Sequence, residues 1–291
     1  MERIKQIYDK NYKFLLLIPA ILLVLSVGYL INFSAQHGDV IYKDVSLTGG
    51  TTLTVLDENA DIGVLTRNLK EKFPDLKTRQ ISDFRTGKQK GFFIETKVEP
   101  EEIKQAVEGY LGYTLTQENS SVEFSGSALS AGFYSQLRFA IFLAFIFMSL
   151  VVFFIFRTFV PSVAVILSAF ADIVMTIAIV DILGMQLSVA GVIAFLMLIG
   201  YSVDTDILLT TRLIKQKEGD IDERLWGAFK TGIMMTLTSI AAVGVALIII
   251  YNFSETLRQI FSILLIGLCF DLINTWITNA GILKLYMERK R

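Results

Sequence analysis

Residues Phe14–Phe33 read FLLLIPAILLVLSVGYLINF, twenty positions without a charged side chain. As a helix rising 1.5 Å per residue, such a run covers about 30 Å, the thickness of a bilayer's hydrocarbon core. The stretch is therefore predicted to span a membrane. Arg3, Lys5, Lys10 and Lys13 precede it. A cleaved signal peptide is the competing reading. The run is longer than a usual signal core and Ser34-Ala35-Gln36 is a poor cleavage site, so an uncleaved first helix is expected.

The same apolar signature returns at Phe139. Five further spans are predicted at 139–156, 161–182, 187–209, 232–251 and 259–283, with Pro161 and Gly184 marking turns and 212–230 as one long charged connection. These runs account for a chain of 291 residues that is 53% hydrophobic, with mean hydropathy +0.55. The net charge of −1 offers no basic surface for nucleic acid. Cys269 and His37 are the only residues of their kinds. That leaves no intrachain disulfide and no cysteine metal cluster, it argues against zinc chemistry and a Ser-His-Asp triad, and no metal or cofactor is expected.

Residues 34–138 differ in kind, being charged and mixed. Thr51–Leu56 alternates as a strand does. Asp61–Phe73 places Ile62, Leu65 and Leu69 at helical spacing. Lys77–Phe84 and Gly91–Val98 read as strands around a Thr86-Gly87 turn. Glu99–Leu111 reads as a helix opened by Pro100, with Ile103, Val107 and Leu111 as its stripe, and Ser121–Phe124 reads as a last strand. The order β-α-β-β-α-β is the ferredoxin-like arrangement.

Positive charge sets the orientation. One set of short segments holds Arg3, Lys5, Lys10, Lys13, Arg157, Arg212, Lys215, Lys217, Arg224, Lys230, Lys284, Arg289, Lys290 and Arg291, whereas the short loops of the other set hold only Arg258. The expected layout is cytoplasmic residues 1–13, a first span at 14–33, an extracytoplasmic domain at 34–138, a bundle at 139–283 and cytoplasmic residues 284–291.

Three predicted spans carry aspartates, which are costly in hydrocarbon and usually face a bundle interior. Asp172 and Asp271 sit near span centres, and Asp204 and Asp206 lie in the inner half of the fourth span. No Lys, Arg or His lies within a span, so these carboxylates must accept hydrogen bonds, share water or hold a proton. Lys230 and Arg212 are the nearest cations. Asp204 and Asp206 are about 200° apart on a regular helix. They face one cavity only if the helix unwinds, for which Gly200-Tyr201-Ser202 offers a place. Asp204 is expected inside, and Asp206 is either near the interface and partly hydrated or buried as well. Thr231-Gly232 and Thr236-Leu237-Thr238-Ser239 supply small and hydroxyl residues for close helix packing and hydrogen bonds across helices.

Leu47-Thr48-Gly49-Gly50-Thr51, Ile199-Gly200-Tyr201-Ser202-Val203-Asp204 and the Thr-rich stretch from Thr231 together resemble motifs of the SecF branch of the SecD/SecF family, within the RND transporter superfamily. The likeness covers essentially the whole chain, and the Asp204-Thr205-Asp206 pattern looks archaeal. The resemblance implies an α-helical membrane protein with six transmembrane helices, half of an RND-type transporter, plus an extracytoplasmic α+β ferredoxin-like domain. It further implies a non-enzymatic auxiliary of the Sec export machinery in the cell membrane, driven by the proton or another ion gradient. Its expected partners are SecD, the translocon channel, the translocating polypeptide and the lipid membrane. Asp204, Asp206, Asp172 and Asp271 are the ion-coupling candidates, with Lys230 as counter-charge. Gly49, Gly50, Thr51, Gly200, Tyr201, Ser202, Thr231, Thr236, Thr238 and Ser239 are motif or packing positions. Two other readings stay open, a passive assembly subunit of the translocon and an RND-type exporter of small molecules or lipids. A membrane hydrolase is disfavoured, because Gly-Tyr-Ser-Val-Asp lacks the setting of intramembrane aspartyl proteases.

Overall fold

A computed structural model describes residues 2–83, 86–216, 219–251 and 254–290. Helix α1 (Glu2–Leu15) runs through Leu16 into α2 (Leu17–His37), which Gly38 closes in the left-handed conformation. The sheet domain follows. A short helix α3 (Val45–Thr48), capped by Asp44, precedes β1 (Gly50–Val55). Then come α4 (Ile62–Lys72), β2 (Lys77–Ser82), β3 (Gln89–Thr96), α5 (Pro100–Leu111) and β4 (Ser120–Ser125). Asp61 caps α4 by accepting from the Val64 N–H at 3.0 Å, and Pro100 occupies the first turn of α5, where no N–H partner is needed.

The strands pair antiparallel in the order β2-β3-β1-β4. Alternation puts Leu53, Val55, Phe92 and Ile94 on one face, where Leu65, Leu69, Ile103 and Val107 of the two helices bury them, with Ile62 partly buried at the margin. This is the β-α-β-β-α-β order. The strand expected at Lys77–Phe84 is described as far as Ser82. Phe84, like Arg85, lies outside the described residues. At the following turn Asp83 Oδ1 accepts from the Thr86 N–H at 2.9 Å, and Gly87 has φ +66°.

The bundle comprises α6 (Ser127–Phe156), α7 (Phe159–Ile182), α8 (Val189–Lys215), α9 (Ile221–Ile250) and α10 (Glu255–Ile273). The last continues through a π-helical turn, Asn274–Asn279, into α11 (Ala280–Lys290). With Lys10–His37, six helices among the described residues are long and apolar enough to cross a membrane. Helices α7, α8 and α10 pack on one another in the middle, while α2 and α6 lie against α7, and α9 against α8 and α10.

Two helices extend beyond the spans expected within them. Helix α6 begins at Ser127, well before Phe139, because it projects beyond the apolar run to support the domain. The Tyr134 hydroxyl donates to Asp39 Oδ1 at 2.9 Å, and the Ser130 and Ser125 hydroxyls meet at 2.8 Å. The charged connection 212–230 is mostly helix, and only residues 216–220 separate α8 from α9. Asp220 and Glu223 form a capping box that starts α9 among charged residues.

The Gly49-Gly50-Thr51 motif sits where the domain meets the bundle. A Cβ on Gly49, whose φ is +85°, would fall 2.6 Å from Ser127 Cα, and one on Gly50 would fall 2.4 Å from the Thr96 carbonyl oxygen. Buried Thr51 donates to the Val98 carbonyl at 2.6 Å. The domain lies at the α7–α8 turn, where the Leu187 N–H donates to Tyr42 O at 2.6 Å and the Asp44 N–H to Leu187 O at 2.9 Å. At the other end the Tyr12 hydroxyl donates to Glu288 at 2.5 Å, Lys284 pairs with Asp222 at 2.7 Å, and Arg224 donates to the Leu213 carbonyl at 2.9 Å.

Candidate functional site

Helix α8 is regular from Val189 to Lys215, started by Ser188, whose hydroxyl oxygen accepts from the Gly191 N–H. The Gly200-Tyr201-Ser202 segment does not unwind it. Two residues four apart therefore share a face. Ser202 and Asp206 form such a pair, and both point into the bundle. Asp204 lies about 200° from Asp206 and is turned to the outer surface of the chain. Asp204, expected inside, is thus outside, and of the two positions open to Asp206 the structure has the buried one. An unbroken helix lets only one of the two face inward, and packing of α8 on α7 and α10 selects Asp206.

Inside, α7, α8 and the α10–π segment bring three carboxylates together. Asp172 and Asp206 are 0% exposed and Asp271 is 1% exposed. Asp172 accepts from the Ser202 hydroxyl at 2.5 Å and from the Asn274 amide at 2.7 Å. Asp206 Oδ1 accepts from the Asn279 amide at 2.7 Å. The Thr275 hydroxyl lies 2.9 Å from Asp206 Oδ1 and 3.1 Å from Asp271 Oδ1. Asp271 is within electrostatic reach of both other carboxylates. Every named partner is a neutral hydroxyl or amide. Among the described residues no ion pair reaches the cluster, and Lys230, the expected counter-charge, is exposed. Asp206 Oδ2 and Asp271 Oδ2 are buried and receive no hydrogen bond from the protein.

Thr275 constrains the protonation of its two neighbours. A hydroxyl has one hydrogen to give. If Thr275 donates to one carboxylate, its contact with the other is a hydrogen bond only when that second carboxyl donates its own proton. The geometry suits a pair of carboxyls that share one proton across Thr275.

Asn274, Thr275 and Asn279 are site residues that sequence reasoning misses. All three are 0% exposed and lie in the π turn, whose wider coil presents them to the interior together. Single π turns of this kind recur at functional sites. The signal that could have found them is a cluster of polar residues within an apolar run, Asp271-Asn274-Thr275-Thr278-Asn279, of which only the first is charged.

The remaining motif residues serve packing or the outer face. A Cβ on Gly232 would fall 2.4 Å from Trp276 Cζ2, so this glycine lets α9 approach the π turn. Thr231 and Thr238 bond to carbonyls one turn back in their own helix, Gly227 and Met234, at 3.2 and 2.7 Å, rather than across helices. Thr236 is buried, Ser239 is half-buried and Thr238 is exposed. Gly200 and Tyr201 share the outer face of α8 with Asp204, beside Ile193 and Met197.

Residues 107–289 match the family model described as "Protein export membrane protein SecD/SecF, C-terminal". The protein-export membrane protein SecF of Methanocaldococcus jannaschii is 39% identical over 290 residues, covering 97% of this chain and 98% of that one. The SecF of Methanothermobacter thermautotrophicus is 38% identical, covering 96% and 94%, and that of Pyrococcus furiosus is 32% identical, covering 99% and 96%. The crystal structure of SecDF, a translocon-associated membrane protein from Thermus thermophilus, superposes with a TM-score of 0.74 at 18% identity. That match covers 97% of this chain but only 38% of the SecDF chain, and it speaks for the fold alone. The family model over residues 107–289 and relatives matching nearly end to end agree: the chain belongs to the SecF proteins of the SecD/SecF protein-export family.

Proposed function

We propose that the chain assists export of polypeptides across the cell membrane as one six-helix half of a pair with SecD, and that its aspartate cluster couples export to the ion gradient. The observation that carries this reading is the cation-free trio Asp172, Asp206 and Asp271, with Thr275 between two of its members. A proton joining or leaving that trio changes which of Ser202, Asn274, Thr275 and Asn279 can donate to it. Those bonds tie α7 and α8 to the π turn, so their rearrangement shifts helix packing. The α7–α8 turn is hydrogen-bonded to residues 42–44, the strap that leads into the sheet domain. Movement at the core thereby reaches the domain that would act on the emerging polypeptide. One elementary charge crossing 100 mV is worth about 2.3 kcal/mol, enough to bias such a two-state shift.

The pairing with SecD is supported by the outer face of α8. Asp204 and Tyr201 stand there beside Ile193 and Met197, on a helix that would otherwise meet lipid. A carboxylate facing hydrocarbon needs a polar or protein partner, and a second six-helix half supplies one, as parallel repeats do. The sheet domain would lie outside the cytoplasm, and the Lys- and Arg-rich helix ends inside it.

The test is export of a Sec substrate into energised membrane vesicles carrying the pair. Asp206→Asn should abolish the gradient-dependent part of export while leaving membrane insertion and SecD binding intact. Asp204→Asn should weaken SecD binding instead. Full gradient-dependent export by Asp206→Asn would favour a passive assembly subunit.

A further inference from the structure

Helix α2 ends beside the strap that fastens the sheet domain to the bundle. His37, the one histidine of the chain, lies in its last turn and is exposed. Its ring stacks on buried Phe33, with centroids 4.3 Å apart. Its Nδ1 lies 3.1 Å from the Phe33 carbonyl oxygen. A carbonyl can only accept, so Nδ1 carries the hydrogen. In the neutral ring Nε2 is then an acceptor, and the Tyr42 hydroxyl, 2.9 Å away, donates to it. Protonation makes Nε2 a donor to the Tyr42 oxygen instead. The contact survives with its direction reversed, and the ring gains a positive charge.

Tyr42 belongs to the strap. Its carbonyl accepts from the Leu187 N–H at 2.6 Å, and its own N–H donates to Asp181 Oδ1 at 3.3 Å. Asp181, at the end of α7, is 3% exposed. Its Oδ2 is buried and receives no hydrogen bond from the described residues. Asp39 and His37 lie within its electrostatic reach.

The other groups that face this corner are engaged. Tyr29 of α2 stacks on Phe33. Strap residue Lys43 pairs with Asp39 at 3.1 Å and lies over the ring of Tyr134 on α6. Tyr134 donates to Asp39, and Arg138 of α6 also lies over its ring. Asp44 caps α3. The formal charges of Asp39, Asp44 and Asp181 exceed those of Lys43 and Arg138 by one negative charge, which a protonated His37 balances.

We propose that His37 makes the strap sensitive to pH on the side of the membrane that the sheet domain occupies: its protonation tightens the strap on α7, and its deprotonation loosens it. Imidazole is the side chain whose charge changes between about pH 5 and 8. The added charge is attracted to Asp181 and Asp39. This part of the hold is therefore present at the acid end of that range and is lost as pH rises. The device is separate from the buried aspartate cluster and does not depend on the export reading.

Hydrogen–deuterium exchange of the full chain in dodecyl maltoside, read by mass spectrometry, tests it. The amides to follow are those of Asp44 and Leu187, which bond across the strap. Their protection is expressed relative to an unstructured peptide at the same pH, which removes the pH dependence of exchange itself. Protection should be roughly two- to fivefold higher at the acid end of the range, the scale of one exposed ion pair. It should not vary with pH in His37→Gln, nor in Asp181→Asn, which keeps the Oδ1 acceptor and removes the charge. Protection independent of pH in the unsubstituted chain would overturn the proposal. So would a pH dependence that survives His37→Gln, which would assign it to a carboxylate. An equal change in the amides of β3 would also overturn it, because the whole domain and not the strap would then be responding.

Discussion

Asn274, the first residue of the π turn, donates its amide to Asp172 Oδ1 at 2.7 Å, across 102 positions of sequence. The bond closes the contact between α7 and the last spanning helix at the level of the buried carboxylates. Asn274→Ala leaves Asp172 with one donor fewer in a fully buried site. The expected loss is about 1–3 kcal/mol of stability, seen as a lower melting temperature of the purified chain in detergent. An unchanged melting temperature would show that the amide is not needed there.

Gly232→Ala should destabilise the bundle by about 1–3 kcal/mol, because the new methyl would meet Trp276 Cζ2 at 2.4 Å. In the same helix, a methyl on Gly244 would meet no atom within 4 Å, so Gly244→Ala is the control. It should be neutral or slightly stabilising, since alanine is the better helix former. The comparison is made by thermal unfolding, and equal effects would contradict the close approach.

In the sheet domain the Tyr113 hydroxyl donates to Asp57 Oδ2 at 2.7 Å. Burial works against the Asp57 carboxylate, but the bonds from Tyr113 and the Asn59 and Ala60 N–H groups outweigh it and hold its pKa below the ordinary 3.8. Burial, then the bond and charge of Asp57, push the Tyr113 phenol up to about 12. A depressed acid contributes stability that is present above its unfolded pKa and is lost as pH falls through its folded one. A raised phenol contributes stability that is present below 10 and is lost as pH rises through about 12. Tyr113→Phe should therefore lower the melting temperature by a constant amount at neutral pH. The difference from the unsubstituted chain should shrink at both extremes. A gap that does not depend on pH would contradict the pairing.

Topology is tested by placement of a reporter. One fused after Lys217 should report cytoplasm, and one inserted near Gly87 should report the exterior, given the bias of Lys and Arg toward one set of segments. Reversed labelling at either position would refute the orientation.

The fold is legible in the sequence wherever a periodicity is long. Six apolar runs mark the spanning helices, and alternation around Leu53 and Phe92 marks the sheet. Helix ends are not, since hydropathy sees only the part of α6 and α9 inside hydrocarbon, whereas α6 begins at Ser127 and α9 at Ile221. The site is half legible. Composition shows that Asp172, Asp206 and Asp271 lie in spans, but not which face of α8 is inward. That depends on tertiary packing, which buries Ser202 and Asp206 and leaves Asp204 out. The partners Asn274, Thr275 and Asn279 are neutral, so charge does not mark them, and nothing local announces a π turn.

The proposed coupling requires that Asp206 and Asp271 share a proton across Thr275. Infrared difference spectroscopy of the SecD-paired chain in lipid, recorded in H₂O and D₂O, observes the carboxylic-acid carbonyl band directly. The expected result at neutral pH is a protonated-carboxyl band that shifts on deuteration, changes frequency in Thr275→Val, and is lost when Asp206→Asn and Asp271→Asn are combined. A spectrum with no such band, or one unaltered by those substitutions, would contradict it.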